Sequence, residues 1–210
     1  MLPKLLPMLA VPAEPFDSPE YCFECKWDGI RVLAAVEQGD WQLWGREQAD
    51  YTGRYPELEV LRCLPAETLL DGELVVLDPD GRPDLPQLLR RHGLTDLWRI
   101  RQARRWSRVR YVVFDLLYHA GSCLLHEPLA RRREILTDVC QRLEAPEVRF
   151  SEAVVGAGRA LYAAVVAQGH EGVMAKHLTS AYRPGRRTAA WRKIKPRPRT
   201  RCKARDMVSY

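Results

Sequence analysis

A chain of 210 residues, 46% hydrophobic and 29% charged, has the size and composition of one large or two small globular domains with a real core. No apolar run approaches the roughly 20 residues of a membrane-spanning helix, and the 15 prolines and 13 glycines are scattered, which excludes collagen-like and low-complexity chains. The net charge of +6 is localised: residues 181–210 carry eleven Arg/Lys against Asp206 alone, whereas residues 1–180 carry 22 bases against 26 acids.

Residues 1–20 are Pro-rich and read as an extended lead-in over the surface. Tyr21–Trp27 and Arg31–Glu37 read as strands joined through Asp28-Gly29, a tight turn that brings Arg31 back beside Lys26, and Gln38-Gly39-Asp40 turns into a third strand at Trp41–Arg46. Tyr55–Leu64 has Leu58 and Leu61 at helical spacing after Pro56. Thr68–Leu77 is a strand closed by Pro79-Asp80-Gly81, and residues 84–106 read as an Arg-rich helical stretch with apolar Leu85, Leu88 and Leu89. Val109–His119 is a strand, and Leu129–Leu143 the clearest helix, with Leu129, Leu136, Val139, Cys140 and Leu143 on one stripe. A helix over Ala157–Gln168 ends at Gly169, and strands at Glu171–Leu178 and Trp191–Lys195 complete the pattern. Strands with singly inserted helices predict an α+β fold of mainly antiparallel sheets.

A basic end on a mildly acidic body is the footprint of a polyanion partner, nucleotide phosphates or a nucleic-acid backbone, or else a solvated tail. Cys22 and Cys25 form one C-x-x-C with no second ligand pair at zinc spacing, and the other cysteines make no disulfide framework. Pro3, Pro7 and Pro12 break the weakly apolar start, so no signal peptide, no membrane partner and a reducing cytoplasmic setting are expected.

The chemistry concentrates in Lys26-Trp27-Asp28-Gly29-Ile30-Arg31. A lysine at a strand end becomes a nucleophile once neighbouring cations or burial favour its neutral amine, and Arg31 can grip phosphate or ribose. Glu73, in the middle of an apolar strand, is expensive to bury unpaired and is a site candidate on that ground. Lys193 and Lys195, two apart on a strand, face one side and can reach one phosphate.

The run K-W-D-G-I-R resembles the active-site motif of covalent nucleotidyltransferases: DNA ligases, RNA ligases and mRNA capping enzymes. Further motifs follow in order. Gly45-Arg46 is similar to the family's Ser-Arg, with Gly in place of Ser; Leu70–Leu74 is similar to its D-G-E-L and Val113–Leu117 to its F-D-L-L. Glu171–Lys176 is similar to E-G-V-M-x-K and Trp191–Lys195 to W-x-K-x-K. Tyr182–Arg187 and Pro7–Ala10 look most like bacterial ATP-dependent DNA ligases of the end-joining type.

The resemblance implies an ATP-grasp-like nucleotidyltransferase fold over residues 21–195, with residues 196–210 as a basic tail. It implies that Lys26 attacks ATP and carries a covalent AMP, which passes to a 5′-phosphate of nicked or broken double-stranded DNA. Glu24 would accept from the adenine amino group, Phe114 would stack on adenine, and Arg31, Arg46 and Glu73 would hold ribose and phosphates. Arg187, Lys193 and Lys195 would contact phosphate, and Glu171, with Glu73, would bind Mg²⁺. The fifteen residues after Lys195 are too few for the OB-fold domain of such ligases, so a monomer lacking that domain is expected, with a separate OB-fold or end-joining protein as a candidate partner. The competing readings are an RNA ligase or capping-type enzyme, and a non-catalytic nucleotide- or DNA-binding module. The Arg99–Arg110 cluster reads as a solvated helix face with DNA contact as the minor alternative, Trp41, Trp44 and Trp106 read as core, and the five histidines receive no role.

Overall fold

The structure, a computed structural model, describes residues 1–196, so the proposed basic tail lies almost wholly outside the described residues. Two sheets face one another. One is five-stranded, in the order β1(Leu9–Pro12), β11(Arg187–Ile194), β10(Val173–His177), β2(Ser18–Cys25), β9(Ala153–Gly156). The other is six-stranded: β4(Asp40–Gly45), β3(Ile30–Glu37), β5(Thr68–Val76), β6(Val109–His119) and β7(Ser122–Cys123), with β8(Val148–Phe150) also on β6. All pairings are antiparallel except β1 with β11 and β6 with β8, which bears out the expected mainly antiparallel α+β architecture.

Strand alternation sorts the side chains into layers. On β3, Val32, Ala34 and Val36 face outward and pack under α1(Leu85–His92) and α3(Leu129–Leu143) through Leu88, Leu136 and Val139. Their neighbours Leu33 and Ala35 face inward and meet Met8, Phe114 and Trp191 between the sheets. The outer face of the first sheet is covered by α4(Gly158–Ala167), whose Val165 packs on Phe23, Val173, Ala175 and Ile194.

Helix α3 is tied to both sheets by adjacent arginines. Arg132 binds Asp115 of β6 through Nε at 2.7 Å and Nη2 at 2.9 Å, both side chains fully buried, and its Nη1 donates to the carbonyls of Glu127 and Ser180. Arg133 donates to Glu24 of β2 at 2.9 Å and to the Ser151 carbonyl at 2.7 Å.

Several expectations are corrected. Asp28-Gly29 does not close a hairpin: β2 and β3 belong to different sheets, and the segment crosses between them. Gly29 is required by close approach, because a Cβ there would lie 2.1 Å from the Leu74 carbonyl oxygen. The lead-in is partly a strand, with β1 pairing with β11 and Met8 buried. Pro12 fits there because β1 is an edge strand. Residues Pro56–Cys63 form a 3₁₀-helix, since Tyr55, Leu58, Leu61 and Leu64 are buried every third residue, the period at which 3₁₀ side chains align. The stretch 84–106 splits into α1 and α2(Leu97–Ala103): Gly93 ends the first and the Asp96 carboxylate caps the second through the Arg99 N–H. Trp41 and Trp44 are core, but Trp106 is exposed. No helix among the described residues is long and apolar enough to cross a membrane.

Asp115→Ala strands the buried Arg132 guanidinium and should cost about 3–5 kcal/mol in urea unfolding. The double substitution Asp115→Leu/Arg132→Met should recover part of that loss.

Candidate active site

A cleft of about 240 Å³ opens between the inner faces of the two sheets. The predicted Lys26, Glu24, Arg31, Arg46, Glu73, Phe114, Arg187, Lys193 and Lys195 all line it, drawn from residues far apart in the chain. Glu171 is not a lining residue, but it joins the group by binding two members of it: Lys26 Nζ donates to Oε2 and Lys195 Nζ to Oε1.

Lys26 lies just past the end of β2, where its N–H donates to the Gly172 carbonyl at 2.9 Å. Gly172 has φ +140°, and a Cβ there would lie 2.1 Å from the Ile194 carbonyl oxygen. Only glycine permits this approach of three backbones, which sets Glu171 beside both lysines. Burial opposes the Glu171 charge, but the bonds from Lys195 and Lys26 outweigh it and hold the carboxyl below its ordinary range.

On the facing sheet Arg31 donates to both oxygens of Asp71, at 2.5 and 2.6 Å, and the Tyr182 hydroxyl donates to the same carboxylate at 2.6 Å. Burial opposes the Arg31 charge, but Asp71 outweighs it and pushes the guanidinium pKa above its ordinary value. The guanidinium lies 4.4 Å from the Phe114 ring centroid and 5.5 Å from that of Trp191. Lys176 Nζ lies 3.9 and 4.3 Å from the same two rings and forms an ion pair with Glu24. Burial pushes the Lys176 ammonium pKa down, with Glu24 pulling the other way. The ring expected to stack on a base therefore shares its surroundings with two cations. Glu24 is itself buried between Lys176 and Arg133, and Glu73 carries the opposite stress: burial pushes its carboxyl up to about 7 against the pull of Arg31, Lys26 and Arg46. Arg187 donates to the Ala10 carbonyl of β1, and Arg46 is exposed at the rim.

Asp71, Lys176, Trp191 and Arg133 join the predicted residues around the cleft. The first three carry a signal in strand parity: each stands two residues from a residue on the same wall, as Asp71 does from Glu73 and Trp191 from Lys193. Among the described residues no group of three or more His, Cys, Asp or Glu could hold a metal ion, which leaves the C-x-x-C as two free thiols.

Comparison with known proteins follows the same outline. Residues 7–195 match the family model of the ATP-dependent DNA ligase domain. The chain is 36% identical over 195 residues to a multifunctional non-homologous end-joining DNA repair protein LigD of Mycobacterium tuberculosis, covering 91% of this chain and 24% of that protein. It is 37% identical over 193 residues to LigD of Pseudomonas aeruginosa, covering 91% of this chain and 22% of the relative. The structure superposes on mycobacterial DNA ligase D complexed with ATP and MES with a TM-score of 0.76 at 34% identity, covering 91% of this chain and 60% of that one. The chain thus spans about a quarter of the length of these curated relatives.

Asp71→Asn removes the carboxylate that holds Arg31, and should weaken ATP binding measured by calorimetry about tenfold while lowering the urea midpoint. Burial, then Glu24, pushes the Cys25 thiol up to about 11. At pH 8 iodoacetamide should therefore modify the exposed Cys63 and Cys123 well before Cys25, as read by peptide mass spectrometry.

Proposed function

The chain belongs to the ATP-dependent DNA ligase domain family, and from that premise we propose that it carries AMP from ATP to the 5′-phosphate of nicked or broken double-stranded DNA, in end-joining repair. The observation that carries this reading is the cleft between the sheets, with Lys26 on its wall bonded to Glu171, and Glu171 to Lys195. In the first step Lys26 Nζ attacks the α-phosphorus. A P–N bond forms, the α–β P–O bond breaks, and pyrophosphate leaves with the electron pair while the amine proton departs along the bond to Glu171. In the second step a DNA 5′-phosphate oxygen attacks the same phosphorus, the P–N bond breaks, and Lys26 regains its proton. The DNA 3′-hydroxyl then attacks the activated phosphate and AMP leaves.

The remaining residues bind and orient. Arg31, immobilised by Asp71, and Arg46 at the rim hold ribose and phosphate. Arg187, Lys193 and Lys195 converge on the phosphates from β11 and its end. Phe114 supplies the aromatic wall for adenine, and Glu24 accepts from the adenine amino group with lone pairs left over from Arg133 and Lys176. The buried Trp191 Nε1 lacks a protein acceptor among the described residues, a vacancy that a ligand oxygen suits. Glu171 and Glu73 would supply carboxylate oxygens to Mg²⁺, which binds through one or two carboxylates together with substrate phosphates rather than in an all-protein cage. Bound there, the ion would offset charge on the α-phosphate and the pyrophosphate.

Incubation with α-labelled ATP and Mg²⁺ should give an acid-labile protein adduct, absent in Lys26→Ala and in the charge-conserving Lys26→Arg. Glu171→Gln should slow its formation about a hundredfold. Tight ATP binding by calorimetry with no adduct from the folded protein would assign the chain to a non-catalytic nucleotide-binding module instead.

A further inference from the structure

A second cationic surface shares no lining residue with the cleft. From Leu97 to Arg110 the chain carries arginines at 99, 101, 104, 105, 108 and 110 and no acid. Arg101, Arg104, Arg105, Arg108 and Arg110 line one hollow of about 430 Å³, and Arg105, Trp106, Arg108 and Arg110 line an adjoining one of about 590 Å³.

Two features separate this surface from an ordinary solvated helix face. The first is unpaired charge. Among the described residues Arg99, Arg101, Arg105, Arg108, Arg110 and Arg149 form no ion pair; Arg104 reaches Glu57 only at 4.0 Å, and that carboxylate already holds Arg91 at 3.2 Å. The crowding is mutual, since burial, Arg149 and Arg108 together push the Arg110 guanidinium pKa down. The acids at the hollows, Glu57 and Glu147 in one and Asp78 and Asp84 in the other, form no ion pair with Arg101, Arg105, Arg108 or Arg110. The second is exposed apolar area: Trp106, which lines the second hollow, is 56% exposed, and Leu97 and Trp98, at the start of the helix that carries Arg99 and Arg101, are 65% and 69% exposed. A face built only for water has no use for two bare indoles.

We propose that this surface binds single-stranded nucleic acid, the class of ligand an unpaired overhang at a broken end presents. The arginines match a phosphate backbone, and binding releases its counterions and relieves their mutual repulsion. The indoles match unpaired bases, each of which offers a π-face, whereas duplex DNA keeps those faces stacked inside. The assignment is independent of the chemistry at Lys26.

Fluorescence anisotropy of the full chain with a labelled oligothymidylate tests it, with a blunt duplex of equal length as comparison. The single strand is expected to bind the tighter of the two, with quenching of tryptophan emission. Trp98→Ala/Trp106→Ala should weaken single-strand binding about tenfold and remove most of the quenching. Arg101→Gln/Arg105→Gln should weaken it and flatten its salt dependence, and both variants should keep the near-ultraviolet dichroism of a folded protein and normal ATP binding. Single-strand affinity unchanged in both variants, or a blunt duplex bound equally well, would overturn the proposal. A poly-glutamate peptide that displaces the oligonucleotide and binds more tightly would overturn it in favour of an acidic protein partner.

Discussion

Two adjacent guanidiniums on one helix carry the geometry of this protein. Arg132 reaches Asp115 on one sheet and Arg133 reaches Glu24 on the other, so a single helical turn of α3 fixes the two sheets relative to each other. Met8, Leu33, Ala35, Phe114 and Trp191 pack one part of the space between the sheets, and buried charge pairs give definition to the polar part that opens as the cleft. The arrangement is costly to break at the Asp115 end, because Asp115 and Arg132 are both fully buried, whereas Glu24 without Arg133 would keep Lys176.

The cleft is built on the same rule. Its carboxylates meet cations of the protein: Asp71 holds Arg31, Glu24 holds Lys176 and Arg133, Glu171 holds Lys26 and Lys195. Glu73 is the exception, and burial leaves it with a raised pKa. A triphosphate entering this gap meets Arg46, Lys193 and Arg187, none of which is tied to a carboxylate in an ion pair among the described residues, while the paired groups keep their shape around it. Preorganisation of this kind reserves binding energy for orienting the substrate and for charge that develops during transfer. The cleft and the arginine–tryptophan surface contrast in this respect, because charge in the first is largely neutralised within the protein and charge in the second is left open.

The sequence made much of this legible, in proportion to how local each feature is. Alternation on β3 and the single apolar stripe of α3 report only on neighbours a few residues away, and both elements were placed within a residue or two of their ends. The wall residues around Lys26 were legible through motifs quoted in order, and the structure brings all of them to one place. What was missed depends on partners far along the chain. The four residues of β1, ending in Pro12, carry no strand signal of their own and are ordered by β11 at the opposite end of the chain. Arg132 and Arg133 sit in a run of three arginines that looks solvated until the buried acids at 24 and 115 are placed beside them. Asp28-Gly29 looks like a turn because that is its local preference, while its glycine is fixed by the Leu74 backbone of another strand. The caps at Gly93 and Asp96 were readable and mark where a long Arg-rich helix had to break.

On the proposed reading, Lys26 Nζ is the atom that takes the adenylyl group in this cleft. Peptide mapping by mass spectrometry after incubation with ATP and Mg²⁺ tests it most directly. A single AMP-modified peptide is expected, with the modification on Lys26. Modification at another lysine, such as Lys176 or Lys195, or an unmodified protein that still binds ATP, would contradict it.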